Sequence, residues 1–120
     1  MGEAAGRRFE EPDEVREFAH GRTEIVHLAG STAGKAVLEP GWTWEGSVKP
    51  IVGGESCQAH HLGYVLAGAL HLVTDEGKEY DVGPGDVYEI LPGHHAQVTG
   101  DVAFEALEFQ SKTAETYAKK

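Results

Sequence analysis

The sequence predicts an all-β domain whose short strands pack as a sandwich or close into a barrel. Three observations carry this. Sixteen glycines and five prolines fall in clusters that interrupt the chain every ten residues or so, a spacing that suits strands and turns. The segments between clusters are short and either alternate apolar with polar or run apolar throughout. Almost none repeats its apolar residues at helical spacing. The segments amount to about eight to ten strands, which would leave long unpaired edges unless sheets face each other or close.

Taken in order, residues 1–22 read as an N-terminal arm with one short helix. In PDEVREF, Pro12 suits a first helical position and Asp13 and Glu14 suit the positive end of a helix dipole, while Val15 and Phe18 share a face. The barrel domain follows over 23–110. TEIVHL alternates and reads as a strand ended by AGSTAG, and KAVLEPG is a second strand closed at Pro40-Gly41. WTWEGSVKPIV reads as extended, which puts Trp42 and Trp44 on one face. HLGYVLAGALHLV is one long strand in which Gly68 marks a bulge or bend. TDEGKEY turns at Glu76-Gly77, YDVGPGDVYEIL holds two strands around Gly83-Pro84-Gly85, and LPGHH is another turn. AQVTGDVAFEALEFQ supplies the last pair of strands, with Phe104, Ala106 and Glu108 on one face. Residues 111–120 are a polar tail. At 120 residues the chain holds one domain with a single modest core.

Charge and cysteine usage narrow the function classes. The net charge of −10 argues against nucleic acid and anionic membrane surfaces as partners. No apolar run reaches the roughly 20 residues that span a bilayer, and the first residues lack the apolar segment of a secretory signal. The single Cys57 has no internal disulfide partner, which fits a cytoplasmic protein.

Two segments resemble the paired signature segments of the cupins, small β-barrels of jelly-roll type. HLGYVLAG matches the end of the first, with Gly68 as its closing glycine, and GDVYEILPG matches the second, with Gly85 and Gly93 in register. The resemblance covers roughly residues 36–109 and implies a cupin-type jelly-roll β-barrel. Its ligand positions depart from the family pattern. His61 stands where the family glutamate is expected, Cys57 and Glu55 stand where the shorter spacing expects the two histidines, and Ala96 stands at the histidine of the second segment. The three-histidine, one-glutamate site that the resemblance implies is therefore absent as such.

A different polar set remains. By strand parity, His61, Gly63 and Val65 share one face, and His60, Leu62, Tyr64 and Leu66 share the other. The resemblance implies that the His61 face lines the lumen. Cys57 has the same parity, and one of His94 and His95 is a candidate to reach the barrel mouth, His95 being nearer the family position. Thiolate and neutral imidazole suit Zn, Fe or Ni, so Cys57, His61, His95 and His94 form the candidate ligand set. Cys57 serves equally well as a small buried residue. Trp42, Trp44 and Tyr64 are candidates to wall the ligand pocket, the tryptophans alternatively filling the core or a dimer seam. Glu89 is an acid–base candidate if turned inward and a solvated charge if outward. Two functions compete: a metal-binding barrel acting on a small organic molecule, and a binding or sensing module without metal. A homodimer seam over Leu62, Tyr64 and Leu66 is compatible with both.

Overall fold

The structure, a computed structural model, describes residues 4–109. Nine strands run through the described residues: β1 (Glu14–Phe18), β2 (Gly21–His27), β3 (Thr32–Leu38), β4 (His61–Ala67), β5 (Ala69–Thr74), β6 (Glu79–Val82), β7 (Val87–Ile90), β8 (His94–Thr99) and β9 (Phe104–Phe109). They form two antiparallel sheets, one of six strands in the order β1-β2-β3-β9-β4-β7 and one of three in the order β6-β5-β8. No strand ladder joins the sheets among the described residues, so the expected closed barrel is instead a pair of sheets packed face to face. Their shared core draws Ala36, Leu38, Val65, Phe104 and Ala106 from the larger sheet and Leu70 and Leu72 from the smaller.

The long strand expected from His61 to Val73 is split where Gly68 was expected to bend it. Gly68 has φ of +77°, and a Cβ there would run into the Ala103 carbonyl and the Phe104 backbone. Only glycine allows both, and the chain leaves the larger sheet there to start the smaller one. The register then sets the inward positions. Leu70 faces Val98, Leu72 faces Ala96 and Thr74 faces His94, so His94 lies on the core side of β8 with Leu70 and Leu72.

Two expectations are corrected. Residues 14–18 form a strand, not a helix: β1 pairs with β2 along its whole length, from Glu14 opposite Ile25 to Phe18 opposite Gly21. So short a helix is marginal by itself, whereas β2 offers a ladder along one edge of the whole segment. Asp13 anchors the entry, its carboxylate accepting from the His27 backbone N–H at 2.7 Å and from the Arg7 guanidinium at 2.7 and 2.8 Å. The Arg7 hydrogen bond, with that from His27, holds the Asp13 carboxyl below its ordinary value. The segment after Trp42 is helical, not extended: a π-helical turn over Trp44–Val48 leads into α1 (Lys49–Val52). Its signals are the Thr43 hydroxyl accepting from the Gly46 N–H at 2.9 Å, Pro50 in the first turn and Gly53 at the end. The polar tail expected over 111–120 lies outside the described residues. No helix among the described residues is long and apolar enough to cross a membrane.

Candidate metal centre

Cys57, His61 and His94 meet in the space between the two sheets. Each offers one ligand atom, these atoms all lie within 4.8 Å of one another, and all three residues are buried. The three come from two strands and the segment that leads into one of them. Cys57 lies in the approach to β4, His61 begins β4 in the larger sheet, and His94 begins β8 in the smaller. Backbone bonds hold Cys57 against the start of β8: its N–H donates to the His94 carbonyl at 2.8 Å, and the Gly93 N–H donates to the Cys57 carbonyl at 2.7 Å.

Each imidazole is oriented by its own Nδ1. The His61 Nδ1–H donates to the Glu108 carboxylate, at 3.1 and 3.2 Å from its two oxygens. The Tyr88 hydroxyl donates to the same carboxylate at 2.6 Å. The His94 Nδ1–H donates to the Leu91 carbonyl at 2.8 Å. Both Nε2 atoms are thereby available to the centre, the arrangement in which metal-ligating histidines are usually held. The Cys57 Sγ lies 3.7 Å from His61 Nε2. A tetrahedral ion with bonds of ~2.3 Å to sulfur and ~2.0 Å to nitrogen separates its ligand atoms by about 3.5 Å, so this pair is spaced for a shared ion. The donor set fits a borderline-soft divalent metal, and three ligands leave a position for a further group.

Gly63 lets the supporting shell exist. It sits between Glu108 on β9 and Tyr88 on β7. A Cβ there would stand 2.5 Å from the Leu107 carbonyl and 2.7 Å from the Tyr88 hydroxyl, so only a bare backbone lets the Tyr88 ring cross β4 to reach Glu108.

The electrostatics favour the thiolate at Cys57 and a protonated imidazole at His61, so a metal would have to displace the His61 proton. Burial pushes the Cys57 thiol up, but hydrogen bonds and charge from His61 and His94 outweigh it and lower the thiol to about 6. Burial pushes the His61 imidazole down, but the Glu108 charge and the contacts with Cys57 outweigh that and raise it to about 10. Without a metal these shifts favour the thiolate–imidazolium form of the pair, backed by the Glu108 carboxylate.

An apolar cavity opens on this cluster, with about 40 Å³ of room for water centres. Trp42, Trp44, Phe104 and Tyr88 form part of its wall, with Cys57, His61, His94 and Glu108. A larger groove of about 730 Å³, lined by β6, β7 and the turn into β8, shares Leu72, Tyr88, Ile90 and His94 with the cavity as a common wall.

The expected site residues part company here. Cys57, His61 and His94 come together. His95, favoured on position, lies outside the cluster: it falls on the opposite parity of β8, its ring edge-on to Trp44 at 5.6 Å and its Nδ1 3.9 Å from Glu45. Trp42 and Trp44 line the cavity, whereas Tyr64 points to the outer face with Leu62 and Leu66 and is 41% exposed. Glu55 is exposed and outside the cluster, and Glu89 is turned outward with His60 at 2.9 Å. Glu108 is the residue that sequence reasoning passed over. Its signal was parity with Phe104 and Ala106, both of which are buried.

Solved structures share this architecture. The RmlC-like cupin from Shewanella frigidimarina NCIMB 400 aligns with a TM-score of 0.58 at 14% identity, over 90% of this chain and 92% of that one. The fold is cupin-like. The polyketide cyclase RemF from Streptomyces resistomycificus aligns at 0.56 and 21% identity, over 91% of this chain and 72% of that one. The oxalate decarboxylase of Lactobacillus farciminis, solved as a formate complex, aligns at 0.57 and 20% identity over 80% of this chain. This cupin-like chain spans 30% of the decarboxylase's length. No family model matches the chain, and no curated protein does. At such identities the likeness is one of fold, and chemistry has to be argued from the site.

Proposed function

We propose that this protein holds a divalent transition metal on Cys57, His61 and His94 and binds a small organic molecule beside it. The observation that carries the reading is the convergence of three buried ligand atoms within 4.8 Å, with both histidines fixed through Nδ1. A divalent ion there would act as a Lewis acid on an oxygen of the bound molecule. The protein's own residues do the rest. Glu108 orients His61, Tyr88 orients Glu108, and the apolar wall excludes water.

Metal analysis of protein purified without a polyhistidine tag tests this, followed by titration with Zn²⁺ or Co²⁺ under reducing conditions. The expected result is one equivalent bound, with a thiolate-to-cobalt absorption band that Cys57→Ser removes. Failure to take up either ion sinks the reading. That outcome would favour a binding module without metal, which one observation supports: Cys57, His61 and Glu108 already satisfy one another by hydrogen bonding. The exposed strip of Leu62, Tyr64 and Leu66 suits a seam with a second copy. Light scattering at micromolar concentration checks that, a strict monomer removing it.

A further inference from the structure

Trp42 and Trp44 are 3% and 2% exposed, and both line the cavity beside Cys57, His61 and His94. Neither indole Nε1 has a hydrogen-bond partner, and both atoms are shut off from solvent. The other described buried polar atoms without partners belong to Thr23, Ser47 and His95, none of which lines this cavity. Buried polar groups are nearly always paired, so two orphaned donors on residues that line one cavity point to a missing acceptor.

We infer that the ligand of this cavity is a small carboxylate whose oxygens accept hydrogen bonds from Trp42 and Trp44. The inference rests on the proposal that a small molecule occupies the cavity, and it names that molecule's class. The indole N–H only donates, so an ammonium or any donor-only group is the wrong partner. The single carboxylate in the wall, Glu108, is already engaged by Tyr88 and His61. Size agrees: the cavity has about 40 Å³ of room for water centres, enough for a few non-hydrogen atoms.

The chain has two tryptophans, so a nitrogen-15 NMR spectrum of the full-length protein has two indole N–H signals. The probes are acetate and glycolate, with methylammonium as the donor-only control, added to the zinc-loaded protein. Both indole signals should move downfield along one saturable curve with each carboxylate and stay fixed with methylammonium. Trp42→Phe and Trp44→Phe should each weaken acetate binding about tenfold or more, the effect of removing a hydrogen bond to a charged group.

The outcomes separate the two ideas. If zinc binds but neither indole signal responds to saturating carboxylate, or both respond equally to methylammonium, the carboxylate inference is overturned and the metal reading stands. If no zinc binds yet both signals follow acetate in the metal-free protein, the metal reading fails and the indole donors keep their role. The wild-type titration needs no variant to fold.

Discussion

Replacing Glu108 by Gln tests the whole shell behind the metal while keeping its shape. The carboxylate lies 3.1 Å from His61 Nδ1, on the far side of the ring from the ligand nitrogen. Adding the ring width and a ~2.0 Å metal bond puts the carboxylate roughly 6–7 Å from the ion. A unit charge at that distance from a site of one net positive charge contributes about 2.5 kcal/mol at an effective dielectric near 20. The Gln oxygen still accepts from His61, so part of the effect survives. We expect the dissociation constant for Zn²⁺ to rise about 10- to 100-fold, the range seen when such supporting groups are changed. Competition with a chelator of known affinity measures it, at one pH and under reducing conditions. Thermal unfolding of the metal-free variant, run alongside, checks that the fold persists. An affinity within twofold of wild type would refute the reasoning, because it would mean that His61 does not ligate through Nε2.

Three further outcomes follow from the same geometry. His94→Ala should abolish stoichiometric zinc binding, whereas His95→Ala should leave the affinity within about twofold, since only His94 faces Cys57 and His61; equal losses in the chelator competition would contradict the register of β8. Gly63→Ala should lower stability by about 1–3 kcal/mol, the usual range for overpacking, because its Cβ meets the Leu107 carbonyl and the Tyr88 ring; the shift of the urea midpoint reads it, and an unchanged midpoint refutes it. In metal-free protein the thiolate absorbance of Cys57 should rise with a midpoint near pH 6, well below that of an ordinary thiol. The sign follows from a lowered thiol: thiolate predominates above that pH and is lost as pH falls through it. A midpoint at the ordinary value would show that Cys57 and His61 do not share a hydrogen bond.

The inward face of β4 was legible because strand parity is strict: His61, Gly63 and Val65 are buried and Leu62, Tyr64 and Leu66 are exposed, as alternation requires. The break at Gly68 was legible for a similar local reason. The choice between His94 and His95 was not, because adjacent residues point to opposite faces and the family spacing favoured His95, which lies outside the cluster. Only the pairing of Leu72 with Ala96 and Thr74 with His94, a long-range fact, decides it. The N-terminal segment misled because Pro12, Asp13 and Glu14 suit a helix start, while the partner that makes Glu14–Phe18 a strand is β2. Around Trp42 the opposite happened. The alternation of the tryptophans outweighed Thr43, Pro50 and Gly53, which together cap a helical turn. Glu108 was passed over because a charged residue at an inward strand position is rare unless paired, and its partners, His61 and Tyr88, are distant in sequence.

The placement of the three ligands has a consequence for the fold. His61 belongs to the six-stranded sheet and His94 to the three-stranded sheet, and no strand ladder among the described residues joins the two. An ion on both residues would tie the sheets directly, in addition to the apolar packing and the isolated Cys57–His94 and Thr43–Gln97 bridges to β8. Binding only the folded form, metal at a hundred times its dissociation constant adds about 2.7 kcal/mol of stability. Any site would give that increase, so the informative quantity is where the added stability appears. Amide hydrogen exchange with and without Zn²⁺ separates the cases, because segments open in their own cooperative units. A tie between the sheets requires β5 and β8 to gain protection together with β4 and β9. Protection gained in the larger sheet alone would mean that His94 is not holding the ion, and the three-residue centre would then have to be given up.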